Sequence, residues 1–320
     1  MHICVFINPF SGKTIQGFFS EERIKDIFSK YLSREHSFEF VKTENPDELP
    51  SKISYILKKA DIVALVGGDG TIKTFIDLLI PMSEGEKKIP IIAPIGAGSL
   101  NVVAKNVLPQ TVGTAPRLIC DIVNSFSSFP DMRFVKMISP LKFEEENLVQ
   151  YGFMFGNGVI FSGAEIYDSW GFGSQKAFSL IIKAIFSFFF GGELKEKLTK
   201  YISCEIKVDG SEVPIKRAVA CLASLFDKMI LFTRPFISKP QEGKFFFAVF
   251  GDSHKKLALN FLNIALGRKV LENSINSLAS EVFLKFEGGY TIDGEIFRRS
   301  FTEMKISLGP KIPFLSLNKK

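Results

Sequence analysis

Asp61-Ile-Val-Ala-Leu-Val-Gly-Gly-Asp-Gly-Thr-Ile-Lys-Thr-Phe-Ile-Asp-Leu-Leu-Ile80 is the stretch on which the fold of this chain turns. An unbroken apolar run, Asp61–Val66, gives way to an amphipathic one, Ile72–Ile80, which reads as a buried strand followed by a helix. The turn between them is Gly67-Gly68-Asp69-Gly70-Thr71. Glycines at such a turn let the backbone approach a ligand and adopt positive φ without a Cβ clash. The helix that follows aims its unpaired N–H groups and its positive dipole end at the same spot, where a phosphate is readily held. An acid among the glycines fits one of two roles. Either a divalent cation lies between Asp69 and the phosphates, or Asp69 orients the loop through local hydrogen bonds. The pattern points to phosphoryl transfer.

Outward from this stretch, residues 1 to about 127 alternate strand and helix. Ile3–Ile7 precedes a helix with Ile24, Ile27, Phe28, Tyr31 and Leu32 on one face; Ser37–Val41 precedes one with Ile53, Ile56 and Leu57; Ile89–Ala93 precedes another. Repeated β-α units with short loops predict a doubly wound α/β domain with helices on both faces of a parallel sheet. Its ligands are expected at the carboxyl ends of the strands, where the Gly-rich turns fall. After Phe129 strand patterns dominate: Arg133–Ile138, Leu148–Phe155, Tyr201–Val208, Ile215–Ala223, Lys244–Phe250, Glu281–Phe286 and Glu303–Leu308. Val208-Asp-Gly-Ser211 reads as a tight hairpin, and helical segments are expected near 174–190 and 254–267. The reading is two domains, 1–128 α/β and 129–320 an antiparallel β-sandwich, with the last ~15 residues able to return to the first.

The chain has 320 residues and a net charge of +6 without a polybasic block, which disfavours a nucleic-acid arm and suits weak attraction to anionic lipid surfaces. Cys4, Cys120, Cys204 and Cys221 form no C-x-x-C pair and read as buried thiols in a reducing compartment. The N-terminus enters an apolar strand at once, without the charged region and cleavage site of a secretion signal. Ala177–Phe190 is apolar but shorter than the ~20 residues of a membrane span and carries Lys183 in its middle. A cytoplasmic chain without a transmembrane span is the expectation.

Two further Gly-containing turns follow strands. Asn8-Pro9-Phe10-Ser11-Gly12-Lys13 resembles the end of a P-loop, but the glycine a P-loop requires five residues earlier is Ile7. Pro94-Ile-Gly-Ala-Gly-Ser-Leu-Asn101 enters a helix, with Ser99 and Asn101 placed to cap it or to present polar groups to a phosphate or ribose. Singly each is an ordinary structural turn as often as a site. Together, with the late Ile292-Asp293-Gly294-Glu295, they resemble the catalytic domain of the diacylglycerol kinase family, which includes bacterial lipid kinases, sphingosine kinases and ceramide kinases. The resemblance implies a nucleotide-binding α/β domain, a β-sandwich lipid domain and an active site in the cleft between them. It implies ATP and Mg²⁺, a diacylglycerol-like or sphingoid lipid as acceptor, and peripheral association with a membrane. A non-catalytic relative and an NAD kinase, which shares G-G-D-G-T, are the alternatives; a homodimer is left open.

On that resemblance Asn8, Pro9, Ser11 and Gly12 match the first nucleotide-contact loop, and Thr43 a nucleotide-contacting threonine. Gly67, Gly68, Asp69, Gly70, Thr71 and Lys73 match the phosphate loop, with Asp69 meeting Mg-ATP, and Ser99 and Asn101 the third turn. Asp293 and Glu295 match the acidic pair that activates the lipid hydroxyl, with Glu295 marginally preferred as base; the plain alternative for Asp293-Gly294 is a hairpin turn. On this reading Asp69→Ala should abolish transfer and leave the fold intact. The chain departs from the family where Ser238–Gly243 replaces an Asp-Asp-Gly metal loop: Gln241-Glu242 leaves Glu242 as a single candidate metal carboxylate. The Phe-rich segment Ile181–Phe190, after Trp170-Gly-Phe-Gly173, reads either as a core helix or as an acyl-chain wall, with Lys195, Lys197 and Lys200 near it.

Overall fold

The computed structural model describes residues 1–8, 20–43, 45–85, 88–98, 100–109, 114–126, 130–170, 200–229 and 233–317. The chain divides into two compact units, Met1–Ser139 with Pro310–Lys320, and Pro140–Gly309.

The first unit is built on six strands, β1 (His2–Ile7), β2 (Ser37–Lys42), β3 (Ile62–Gly67), β4 (Ile91–Gly96), β5 (Val135–Ile138) and β19 (Ile312–Leu315), in the order β2-β1-β3-β4-β19-β5. All neighbours are parallel except β5, which runs antiparallel to β19. Five helices accompany them: α1 (Glu21–Tyr31), α2 (Leu49–Lys59), α3 (Asp69–Met82), α4 (Val102–Val107) and α5 (Ala115–Asn124). Alternate residues of the buried strands face opposite sides. Ile3, Val5, Ala64, Val66, Ala93 and Ile95 share a core with Ile24 and Phe28 of α1 and Ile119 and Val123 of α5. On the opposite face the Phe6 ring meets Phe75 of α3 at 5.9 Å. Helices therefore cover both sides, as a continuous apolar strand pattern requires.

The strand order reverses between β1 and β3: the chain goes from β1 to one side and crosses back to the other. Such a reversal opens a crevice beyond the carboxyl ends of the two strands. Asn8 follows β1 there, and Gly68 follows β3.

The second unit is two antiparallel sheets. One has β6 (Leu141–Glu145), β7 (Leu148–Gly152), β9 (Ile202–Val208), β10 (Ser211–Glu212), β15 (Glu281–Glu287) and β18 (Phe301–Leu308), ordered β10-β9-β15-β18-β6-β7, with β11 (Arg217–Ala218) beside β9. The other has β8 (Met154–Asn157), β12 (Ala220–Ser224), β13 (Phe245–Phe250), β14 (Ser274–Ala279), β16 (Tyr290–Ile292) and β17 (Glu295–Phe297), ordered β14-β13-β12-β8-β16-β17. Phe143, Ile206, Leu284 and Ile306 of the first sheet and Phe155, Ala223, Phe247 and Val249 of the second lie in one core, which makes the unit a sandwich. The second sheet's outer face, with Leu222, Phe246 and Ala248, packs against Phe236 and against Ile160 of α6 (Val159–Trp170). Two short helices, α7 (His254–Leu259) and α8 (Phe261–Ala265), follow β13.

Val208 and Ser211 pair across a two-residue turn with φ of 47° at Asp209 and 81° at Gly210, the hairpin expected there. The change of units falls later than the change of sequence texture near Phe129. Residues Val135–Ile138 hydrogen-bond to Ile312–Leu315 in the first sheet, so the second unit begins at Pro140. The expected 254–267 helix is split at Asn260, whose φ of −103° and ψ of 8° break it. The 174–190 segment lies outside the described residues. All four cysteines are buried free thiols. Among the described residues no helix is long and apolar enough to cross a membrane.

Candidate active site

The Gly67–Thr71 turn and the Gly96–Asn101 turn are built against each other. Val66 and Gly67 pair with Ile95 and Gly96 at the ends of β3 and β4, and the Ala97 N–H continues the ladder to the Gly67 carbonyl at 2.8 Å. The two backbones then nearly touch: a Cβ on Gly98 would lie 2.5 Å from the Gly68 Cα. Only glycines allow this approach. Gly98→Ala is therefore expected to lower stability by about 2 kcal/mol or more, because backbone rather than a movable side chain must yield; a urea unfolding midpoint equal to that of the wild type would contradict it.

Asp69 ties the turns together. It opens α3, is 9% exposed, and accepts from the Val102 N–H through Oδ2 and the Val103 N–H through Oδ1, both at 2.9 Å. These are orphan donors of the first turn of α4, so the cap of α4 comes from the neighbouring turn and not from Asn101. Burial pushes the Asp69 carboxyl up, opposed by these N–H groups and by Lys105. Of the two roles open to Asp69 in the sequence, the geometry supports local orientation: both oxygens already serve backbone N–H groups.

Asn101 is likewise used within its turn. It has φ of 53°, its Nδ2 donates to the Gly98 carbonyl at 2.7 Å and its Oδ1 accepts from the Gly98 N–H at 2.8 Å. Asn8 donates through Nδ2 to Thr71 Oγ1 at 2.8 Å, while its backbone N–H reaches the Val66 carbonyl at 3.0 Å. The side chain of Lys73 is buried and donates to Asp77 Oδ2 at 2.6 Å, one helical turn on. Thr43 follows β2 directly. Gly70 stands apart: a Cβ built there meets none of the described residues within 4 Å. The result is a braced frame, with Asn8, Asp69 and Asn101 holding it and the Gly70 side of the α3 N-terminus left open by the described residues. Pro9, Ser11, Gly12 and Ser99 lie outside the described residues.

In the second unit Asp293 and Gly294 form the two-residue turn between β16 and β17, with φ of 50° and 87°, and Ile292 pairs with Glu295. The plain hairpin reading is thus right about the backbone, and the acids do different work. Asp293 is 8% exposed; it accepts from Phe153 N–H at 2.9 Å and Met154 N–H at 2.9 Å, and its own N–H reaches the Met154 carbonyl at 3.0 Å. It anchors the turn to β8. Glu295 is exposed at the start of β17, at the end of its sheet. Below it the hairpin is braced by Glu145, which accepts from Tyr290 Oη at 2.5 Å and from Arg299 Nε at 3.1 Å. Burial and the Glu145 carboxylate raise the Tyr290 hydroxyl, so it stays protonated as a donor. Sequence reasoning missed Glu145 and Asp77, and it placed Gly98 in its turn without foreseeing the approach to Gly68. Only Asp77 left a signal, its spacing of four from Lys73.

Glu242 is exposed in the turn before β13, where Gly243 has φ of 76°. Among the described residues one group, His2, Cys4 and Glu39, brings three candidate metal-ligand atoms within 4.8 Å. It sits on β1 and β2 at the amino ends, away from Gly67–Thr71, and is already hydrogen-bonded, with His2 Nε2 2.9 Å from Glu39 Oε1. A His/Cys donor set is also wrong for Mg²⁺, which prefers oxygens. Among the described residues no other three candidate ligand atoms come this close together.

Residues 2–125 match the family described as diacylglycerol kinase catalytic domain. No curated protein matches the chain significantly. Among solved structures, a presumed diacylglycerol kinase from Bacillus anthracis str. Sterne is 15% identical, with 98% of this chain and 96% of that one covered and a TM-score of 0.68. A structure described as a diacylglycerol kinase from the same organism gives 15% identity, 98% and 96% coverage and 0.64. Yeast NADH kinase complexed with NADH is 10% identical, with 100% and 84% covered and 0.52. At such identities these likenesses speak for the shared fold. The family match spans the frame at the ends of β1, β3 and β4, and over residues 2–125 the chain is similar to the diacylglycerol kinase catalytic domain family.

Proposed function

We propose that this protein is an ATP-dependent lipid kinase, transferring the γ-phosphate to a primary hydroxyl of a diacylglycerol-like or sphingoid lipid. The observation that carries the reading is the open space over Gly70 at the N-terminus of α3, on a frame of buried hydrogen bonds at the strand-order reversal. Phosphoryl transfer asks little covalent work of a protein: charge on the phosphates must be met and the nucleophile held in line. Backbone N–H groups at the start of α3 meet the phosphate oxygens, helped by the helix dipole. Their position is fixed by Asp69, Asn101 and Asn8, so little reorganisation is left for the moment of reaction. Glu295 takes the proton of the lipid hydroxyl as it attacks, and ADP leaves. Mg²⁺ arrives with the nucleotide as part of the substrate. A lipid acceptor makes the enzyme a peripheral visitor to a membrane on the cytoplasmic side.

The test is transfer from radiolabelled ATP to diacylglycerol, sphingosine, ceramide and NAD in mixed micelles. Label in a lipid phosphate is the expected result. Label in NAD alone would move the protein to the nucleotide kinases, for which the fold likeness to yeast NADH kinase is the motive. ATP binding without any acceptor would make it a non-catalytic relative.

A further inference from the structure

The second unit carries a leucine stripe that its own core does not use. Leu259 at the end of α7 is 70% exposed, Leu262 in α8 72%, and Leu266, the residue after α8, 50%. Ile237 (50%) lies in the irregular segment tied to these helices by Arg234, whose N–H donates to the Ala265 carbonyl at 2.6 Å. The opposite side of the helices is anchored by buried His254, Ile264 and Ala265. Large aliphatic side chains this exposed and this close together in the chain mark a contact surface.

Its charge says which kind. From Ser253 to Leu271 the chain holds Lys255, Lys256, Arg268 and Lys269 and no carboxylate. Lys256 is shared with Asp252 and Glu272, at 3.7 and 3.5 Å, and Lys269 Nζ donates to the neutral Asn260 Oδ1 at 2.8 Å. Among the described residues no carboxylate pairs with Lys255, Arg268 or Lys269. An apolar stripe rimmed by one sign of charge is matched by a surface that is apolar inside and anionic at its edge, which is an anionic bilayer. A second copy of the chain suits it poorly, because a two-fold contact would bring the same basic rim against itself.

We infer that Leu259, Leu262 and Leu266 dip into an anionic membrane while Lys255, Arg268 and Lys269 meet its headgroups, so that α7 and α8 dock the protein where its acceptor resides. The inference deepens the lipid-kinase reading and rests on it for its purpose, but binding can be read without catalysis. The full chain is sedimented with phosphatidylcholine vesicles with and without phosphatidylserine, alongside Leu259→Ser/Leu262→Ser/Leu266→Ser and Lys255→Glu/Lys269→Glu variants whose melting temperatures are checked. Wild type should pellet with the anionic vesicles, less with neutral ones or in high salt. The leucine variant should lose about tenfold or more in partitioning and the charge variant several-fold, both melting as wild type. Transfer to a dispersed short-chain acceptor should survive in both variants while transfer to vesicle lipid falls. A leucine variant that pellets like wild type, a wild type that ignores anionic vesicles, or a wild-type dimer dissolved by the leucine changes would overturn the proposal. Leucine-dependent pelleting with no lipid phosphorylated would keep the docking surface and sink the kinase.

Discussion

Asp69→Ala is expected to lower the unfolding free energy by roughly 3 kcal/mol and to abolish phosphoryl transfer with it. The carboxylate satisfies two N–H groups of the first turn of α4, and nothing else in the described structure replaces it. Removing it leaves both donors desolvated, each worth about 1–3 kcal/mol when charge-assisted and buried. It also frees the Gly96–Asn101 turn from the Gly67–Thr71 turn, so the α3 N–H groups lose their fixed position. Asp69→Asn keeps one acceptor at the same place and should lose about half as much. Urea unfolding with an unchanged m-value measures the difference. An Asp69→Ala protein as stable as wild type yet inactive would return Asp69 to the role of nucleotide or metal contact. The sequence alone suggested that outcome, because a strand-turn-helix pattern does not reveal that a second turn lies within hydrogen-bond reach.

The two acids of Asp293-Gly294-Glu295 should separate cleanly. Glu295→Gln removes a carboxylate that is exposed and outside the core, so stability is expected to hold while kcat falls about 10²–10⁴-fold, the range for a lost general base. Asp293→Asn keeps a side chain that tolerates φ of 50° but weakens the bonds from Phe153 and Met154, and should lower stability by about 1–2 kcal/mol. Its kcat should fall less than that of Glu295→Gln, through a shifted hairpin. Thermal unfolding and steady-state kinetics on both variants decide. A larger kcat loss for Asp293→Asn at full stability would reverse the assignment of base and anchor.

Much of the architecture was legible because periodicity is a direct record of burial. Asp61–Val66 had to be buried on both faces, and the alternation in Tyr201–Val208 and Glu281–Phe286 had to be a sandwich strand. The turn Val208–Ser211 announced itself through Asp-Gly. What escaped was non-local. Ser274–Ala279 is half-polar and is a strand only because β13 offers it a partner. Val159–Trp170 is assigned no element from sequence, yet it is a helix whose Ile160 lies close over Gly156. Val135–Ile138 belongs to the first sheet because β19, far along the chain, pairs with it. The candidate site follows the same rule. Sequence brought Gly67–Thr71, Asn8 and Asn101 to one sheet edge; it could not tell that Asp69, Asn101 and Asp293 would be consumed in holding turns. That distinction needs three-dimensional partners, since a bracing acid and a catalytic one are the same letter.

Gly70→Ala reveals whether ATP phosphates lie over the start of α3. A Cβ there meets none of the described residues within 4 Å, and alanine in the first turn of a helix is favoured over glycine by up to about 1 kcal/mol. If the open space is where ATP phosphates sit, the variant should melt at or above the wild-type temperature and bind ATP at least about tenfold more weakly, a change near 1.4 kcal/mol. Stability and affinity would move in opposite directions. A Gly70→Ala protein that binds ATP as tightly as wild type would show that the phosphates lie elsewhere and that Gly67–Thr71 is a structural turn.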